Sequence, residues 1–172
     1  MERLVNFFER IVLTRLDMKK VLRYALYLFL ALLAQNMLLN RFRILDVCPL
    51  VLPAVAAAVG MFEGATWGPI LALILGIFAD MGFVENDVTF TLLFPAIAFG
   101  TAFISEFYIN RRFFAFMGVA FLALLLTAVL QMLLVAVKDS FSLVMLRTAL
   151  LQTLWSLPLA PLAYYPAAHM MR

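Results

Sequence analysis

Residues 46–80 read D-VCPLVLPAVAAAVGMF-E-GATWGPILALILGIFA-D, two uncharged runs of 16 residues divided by the single carboxylate of Glu63. A helix rises 1.5 Å per residue, so each run reaches about 24 Å against roughly 30 Å of bilayer hydrocarbon. The runs are continuous, rich in Leu and Ala, and lack two-residue alternation. That pattern is helical and argues against β-barrel strands. Two spans lengthened by flanking residues are the favoured reading, and a re-entrant hairpin is the alternative. Either way, both ends of the pair emerge on the same side.

The same parse extends along the chain. Uncharged intervals cover 24–40 (17 residues), 88–105 (18), 113–137 (25) and 148–171 (24). With the pair above they predict an all-α integral membrane protein, a bundle of about six transmembrane helices forming one domain over 21–172. Composition agrees: 66% of the 172 residues are hydrophobic and 13% charged, where soluble domains carry about 25% charged residues. An ordinary soluble enzyme and a disordered chain are excluded. Cys48 is the only cysteine, which rules out an intrachain disulfide.

The net charge of +3 forms no docking face for nucleic acid. Basic residues gather at the boundaries of apolar runs, where membrane topology places them. With the N-terminus inside, nine lie in cytoplasmic segments: Arg3, Arg10, Arg15, Lys19, Lys20, Arg23, Arg111, Arg112 and Arg172. Four lie outside: Arg41, Arg43, Lys138 and Arg147. Both termini are therefore expected in the cytoplasm, with the acidic loop 80–87 outside. Residues 1–20 form a basic segment too interrupted by charge for a signal peptide. Its polar residues Glu2, Arg3, Asn6, Glu9 and Arg10 and its apolar Leu4, Phe8, Ile11 and Val12 separate onto two faces. An interfacial amphipathic helix fits; equally, Met18-Lys19-Lys20 reads as a second start, with the first 17 residues dispensable.

Gly64, Gly68, Ala72, Gly76 and Asp80 recur every four residues. On a helix they draw a smooth stripe with a carboxylate at its outer end, and small residues at this spacing let helices approach closely. The stripe packs either inside the bundle or against a partner helix or lipid; Gly60 extends the spacing backward, across the turn. Asp80 is a solvated loop acid, or a carboxylate that pairs with a base or caps the next helix. Gln35, Asn36, Thr127, Gln131 and Gln152 are polar within spans and are expected to form interhelical hydrogen bonds. Adjacent Gln35 and Asn36 are also placed to line a cavity. Pro95, Pro158 and Pro161 should bend the fourth and sixth helices. Trp67, Tyr164 and Tyr165 suit the interface, and Trp155 suits packing within the sixth span.

The only histidine, His169, falls near the C-terminus and is expected at the surface. No zinc-binding set, nucleophile–base pair or phosphate-binding glycine loop is present. The predicted topology puts Asp80 and Glu106 on opposite sides of the membrane, which defeats a carboxylate dyad. No catalysis, metal or cofactor is expected. Asn40-Arg41-Phe42 faintly echoes Asn110-Arg111-Arg112-Phe113, too little for an inverted transporter repeat.

Four features in series resemble the bacterial rod-shape-determining MreD family. They are the basic start, the polar stretch from Gln35-Asn36 to Asn40-Arg41, the proline-opened Cys48-Pro49-Leu50-Val51-Leu52-Pro53, and Gly60-Met61-Phe62-Glu63-Gly64 leading to Gly76-Ile77-Phe78-Ala79-Asp80. The resemblance covers most of 24–165, with Pro49 and 60–80 its distinctive parts. It implies a non-enzymatic, multi-pass scaffold of the plasma membrane in the cell-elongation machinery, bearing on cell shape and peptidoglycan synthesis. The implied partner is the bitopic shape protein MreC, and through it the MreB cytoskeleton and peptidoglycan synthases. The small-residue stripe is the expected seat of the MreC helix. The family fold is also similar to the substrate-binding subunits of energy-coupling-factor vitamin transporters, so a small-molecule transporter subunit is the alternative.

Overall fold

The computed structural model describes residues 18–41, 47–82, 89–107, 113–138 and 143–170. The N-terminal amphipathic segment up to residue 17, most of the acidic loop after Asp80, and Arg111–Arg112 lie outside the described residues. Within them every residue is helical except 47–51. Helix α1 (Met18–Leu33) continues as a π-helix (Ala34–Leu38) and a 3₁₀ turn (Leu39–Arg41). Then come α2 (Leu52–Gly82), α3 (Thr89–Phe107) and α4 (Phe113–Lys138). Last are α5 (Leu143–Ser156), a 3₁₀ turn (Leu157–Leu159) and α6 (Ala160–Met170). Two helices, Leu52–Met81 and Phe113–Val137, are long and apolar enough to cross a membrane.

Helix α2 is two arms, not one rod. Gly64 has φ 80° and ψ −172°, a conformation that only glycine adopts readily. In a straight helix Gly60 and Gly68 would stand about 12 Å apart. Here a methyl group on Gly68 would come within 2.8 Å of the Gly60 Cα. The chain therefore folds back at Gly64, and the arms 52–63 and 65–82 pack on each other. This answers to the pair of uncharged runs, with an unforeseen first half: only 11 of the 16 residues in the leading run are helical, and 47–51 lie outside any helix. Prolines explain the split. A residue preceding proline is biased out of the helical region, which fits the non-helical Cys48 before Pro49. Pro53 then sits in the first turn of α2, where its missing N–H is tolerated. The Val51 carbonyl opens that turn, accepting Ala54 N at 3.0 Å and Val55 N at 3.1 Å.

Residues 52–62 are all buried. The run is apolar on every side, as a helix wrapped by others must be. Its small residues, Ala54, Ala56, Ala57 and Ala58, are fully enclosed and let neighbours come close. Helix α3 makes the broadest contact with α2, and α4, α6 and α1 also pack on it. The last span breaks where Pro158 was expected to bend it, as the 3₁₀ turn between α5 and α6. Helix α3 runs unbroken through Pro95.

Candidate functional site

The non-helical stretch 47–51 exposes backbone groups that no helix satisfies, and such groups are costly in an apolar interior. Two side chains answer them. Gln35 Nε2 donates to the Pro49 carbonyl at 2.9 Å, and its Oε1 accepts Val51 N at 2.9 Å. Ser156 Oγ accepts Leu50 N at 2.8 Å and donates to the Gln152 carbonyl at 2.7 Å. Gln35 is 1% exposed and Ser156 fully buried. Gln35 thus lines no cavity; it is a brace between α1 and the unwound segment. The π-helix supplies its position, since one widened turn resets the register of the side chains that follow. Ser156 and this widened turn were not foreseen. The only serine in the apolar run 148–171 was the available signal.

The small-residue stripe is occupied from within the chain. A methyl group on Gly76 would meet the Phe90 carbonyl oxygen at 2.5 Å and Thr91 Cα at 2.8 Å. One on Gly60 would land on the Ala98 carbonyl, and Gly68 faces Gly60. Ala72 is 1% exposed. The expectation that this stripe seats a partner helix is therefore corrected: α3 and the first arm already fill it. Gly64 is no member of the stripe, because it makes the turn and no side chain crowds it.

Asp80 closes the same contact. Its Oδ1 accepts Phe90 N at 3.0 Å, and its Oδ2 accepts Thr91 N at 2.8 Å and Thr91 Oγ1 at 2.6 Å. The N-terminal N–H groups of α3 lack helical partners, and this carboxylate, remote in sequence, caps them. Of the roles weighed for Asp80, capping the next helix is the one the structure displays.

At the other end of the bundle, Tyr24 donates its hydroxyl to Glu63 Oε1, and Tyr27 donates to the Ala163 carbonyl at 2.8 Å. Phe62, Phe113 and Phe116 surround Tyr164, with ring centroids 5.1–5.5 Å away. These contacts fasten α1, α2, α4 and α6 together. Two expectations need correction here. Thr127 bonds the Ala123 carbonyl of its own helix at 2.8 Å and makes no interhelical bridge. Trp155 is 38% exposed, on the outer side of α5. Gln131 and Gln152 are half-buried, and His169 is exposed.

Asn36, next to the brace, faces the opposite way. It is exposed and borders a groove of about 630 Å³ between α1 and the second arm of α2. Every other residue lining that groove is apolar. Among the described residues the Asn36 side chain has no hydrogen-bond partner, and no cluster of three His, Cys, Asp or Glu is placed to hold a metal ion. No family model, curated protein or solved structure matches the chain.

Proposed function

We propose that this chain is a non-enzymatic membrane scaffold of the bacterial cell-elongation machinery, of the MreD type. It sits in the plasma membrane with six crossings and both termini in the cytoplasm. In this reading the second crossing is composite. The five non-helical residues 47–51 would reach at most about 16 Å and the 12 helical residues of the first arm about 18 Å, enough together for roughly 30 Å of hydrocarbon. The remaining crossings are α1, the second arm of α2, α3, α4 and the α5–α6 pair.

One observation carries the scaffold reading: the buried polar side chains of the described interior are already engaged within the chain. Gln35 and Ser156 brace the unwound segment, Asp80 caps α3, and Thr101, Thr127 and Thr153 bond carbonyls in their own helices. What is left to act on another molecule is the apolar outer surface, which suits a protein that binds other membrane helices. The resemblance at Pro49 and 60–80 names the partner, a bitopic MreC-type protein, and through it the MreB cytoskeleton and peptidoglycan synthases.

The test is co-expression of the tagged chain with an MreC-type protein, followed by purification from membranes. Stable recovery of the pair, and loss of rod shape when the chain is depleted, are expected. Normal rods on depletion, with no recovered pair, would overturn the proposal. A vitamin co-eluting with the purified chain would favour a transporter subunit instead.

A further inference from the structure

Resting on the scaffold reading above, we propose that the groove between α1 and the second arm of α2 seats the single transmembrane helix of the partner, and that this helix carries a hydrogen-bonding side chain level with Asn36. Ala25 is among the α1 residues that line the groove, and its rim follows the series Leu22, Leu26, Phe29, Leu33 and Asn36. Their spacing alternates four and three residues, the 3.5-residue period of a helix–helix seam. The seam runs about 21 Å along the axis. Ile74 and Phe78 form the facing wall. Leu22, Leu26 and Phe29 are 57–71% exposed, so nothing among the described residues covers this side of α1.

Asn36 decides what covers it. An amide offers two donors and an acceptor, and leaving them against hydrocarbon is unfavourable. Its depth follows from its neighbour: Gln35 braces the segment that Ser156 also holds. Asn36 stands five residues, about 7 Å along its own helix, inside Arg41, and Ser156 eight residues, about 12 Å, inside Thr148, where the last uncharged run begins. An acyl chain at that depth has no group to meet the amide, whereas a helix with Ser, Thr, Asn or Gln there satisfies it. A single polar residue in an apolar seam also sets the register of two helices. A second copy fits less well. Its α1 is packed along Tyr24, Tyr27 and Leu28 against its own core, and a walled groove admits a lone helix more readily than one carrying a bundle.

The test uses the full chain with Cys48→Ser, co-expressed with an MreC-type bitopic protein. Single cysteines replace Leu26, Leu33 or, on the exposed side of α4, Leu122. Each is oxidatively crosslinked in membranes to cysteines stepped along the partner's transmembrane helix. Crosslinks from Leu26→Cys and Leu33→Cys to partner positions about one heptad apart, and none from Leu122→Cys, are expected. Ala25→Trp, which fills the groove, should reduce recovery of the pair at least tenfold. Asn36→Leu should weaken it about three- to fifteen-fold, the range for interhelical hydrogen bonds in membranes, with Asn36→Gln keeping part of the affinity. Both variants change exposed positions, and an unaltered thermal midpoint separates lost binding from lost folding. A recovered pair without groove crosslinks overturns this assignment while leaving the scaffold reading intact. Failure to recover any pair overturns both. Crosslinks between two copies of the chain, or a tightly held lipid seen by native mass spectrometry and expelled by Ala25→Trp, would also overturn it.

Discussion

Gln35 and Asn36 are neighbours of the same chemical kind with opposite duties. Replacing Gln35 by Leu leaves the Pro49 carbonyl and Val51 N–H without partners, at about 1–3 kcal/mol for each buried orphan. Asn36→Leu removes an amide that bonds nothing within the described residues. In detergent, Gln35→Leu should therefore lower stability by roughly 2–5 kcal/mol, read as a clear fall in thermal midpoint, while Asn36→Leu leaves the midpoint unchanged or raised. Equal losses would show that Gln35 is no brace. The glycines separate in the same way. Gly60→Ala and Gly76→Ala drive a methyl group into backbone of α3 and should each cost about 2–3 kcal/mol. Gly64→Ala has open space but φ of 80°, and should cost about 1–3 kcal/mol. Gly100 and Gly118 meet nothing within 4 Å, so alanine there should be neutral or stabilising by up to about 1 kcal/mol. Thermal midpoints of the five variants, compared side by side, check this order.

Among the elements, the α2–α3 corner depends on one carboxylate. Asp80 accepts three hydrogen bonds from the first turn of α3. Asp80→Ala should destabilise by about 1–2 kcal/mol, the usual loss for a helix cap, and Asp80→Asn by less, because an amide oxygen still accepts. Hydrogen exchange would locate the loss in the first turn of α3 ahead of the rest of the helix. This corner also marks how far sequence patterning reached. Charge spacing located the helices, because a charge in hydrocarbon is costly and its absence is easily seen. The stripe at Gly68 and Gly76 was visible as a close-packing surface, since small residues at every fourth position have few other uses. What filled it was not visible: a sequence names no neighbour, and α3 lies across a loop from α2. The unwound segment 47–51 was hidden for a related reason. Its residues are as apolar as the helix that follows, and only Pro49 and Pro53 mark it. The partners of its backbone, Gln35 and Ser156, are 14 and 106 positions away.

At the scale of the molecule, burial and charge make separate statements. Burial makes 52–62 the hub, around which α1, α3, α4 and α6 assemble. Charge sets how that assembly would sit in a bilayer. Lys and Arg near the ends of spans favour the cytoplasm, and the rule counts basic residues and gives acids little weight. The split of nine against four therefore orients the proposed six crossings, while the acids at Asp80, Glu85 and Asp87 follow passively to the outside. With Cys48 replaced by Ser, a cysteine at Glu85 should react in intact cells with a membrane-impermeant maleimide. A cysteine at Arg111 should react only after permeabilisation. The two positions lie on either side of α3, so opposite labelling requires that this helix cross the membrane. The sign of the pattern then reads out orientation independently of the crossing itself. Labelling of both positions from the same side would remove α3 as a span and with it the six-crossing arrangement. Opposite labelling with the sign reversed would keep the bundle and turn it over.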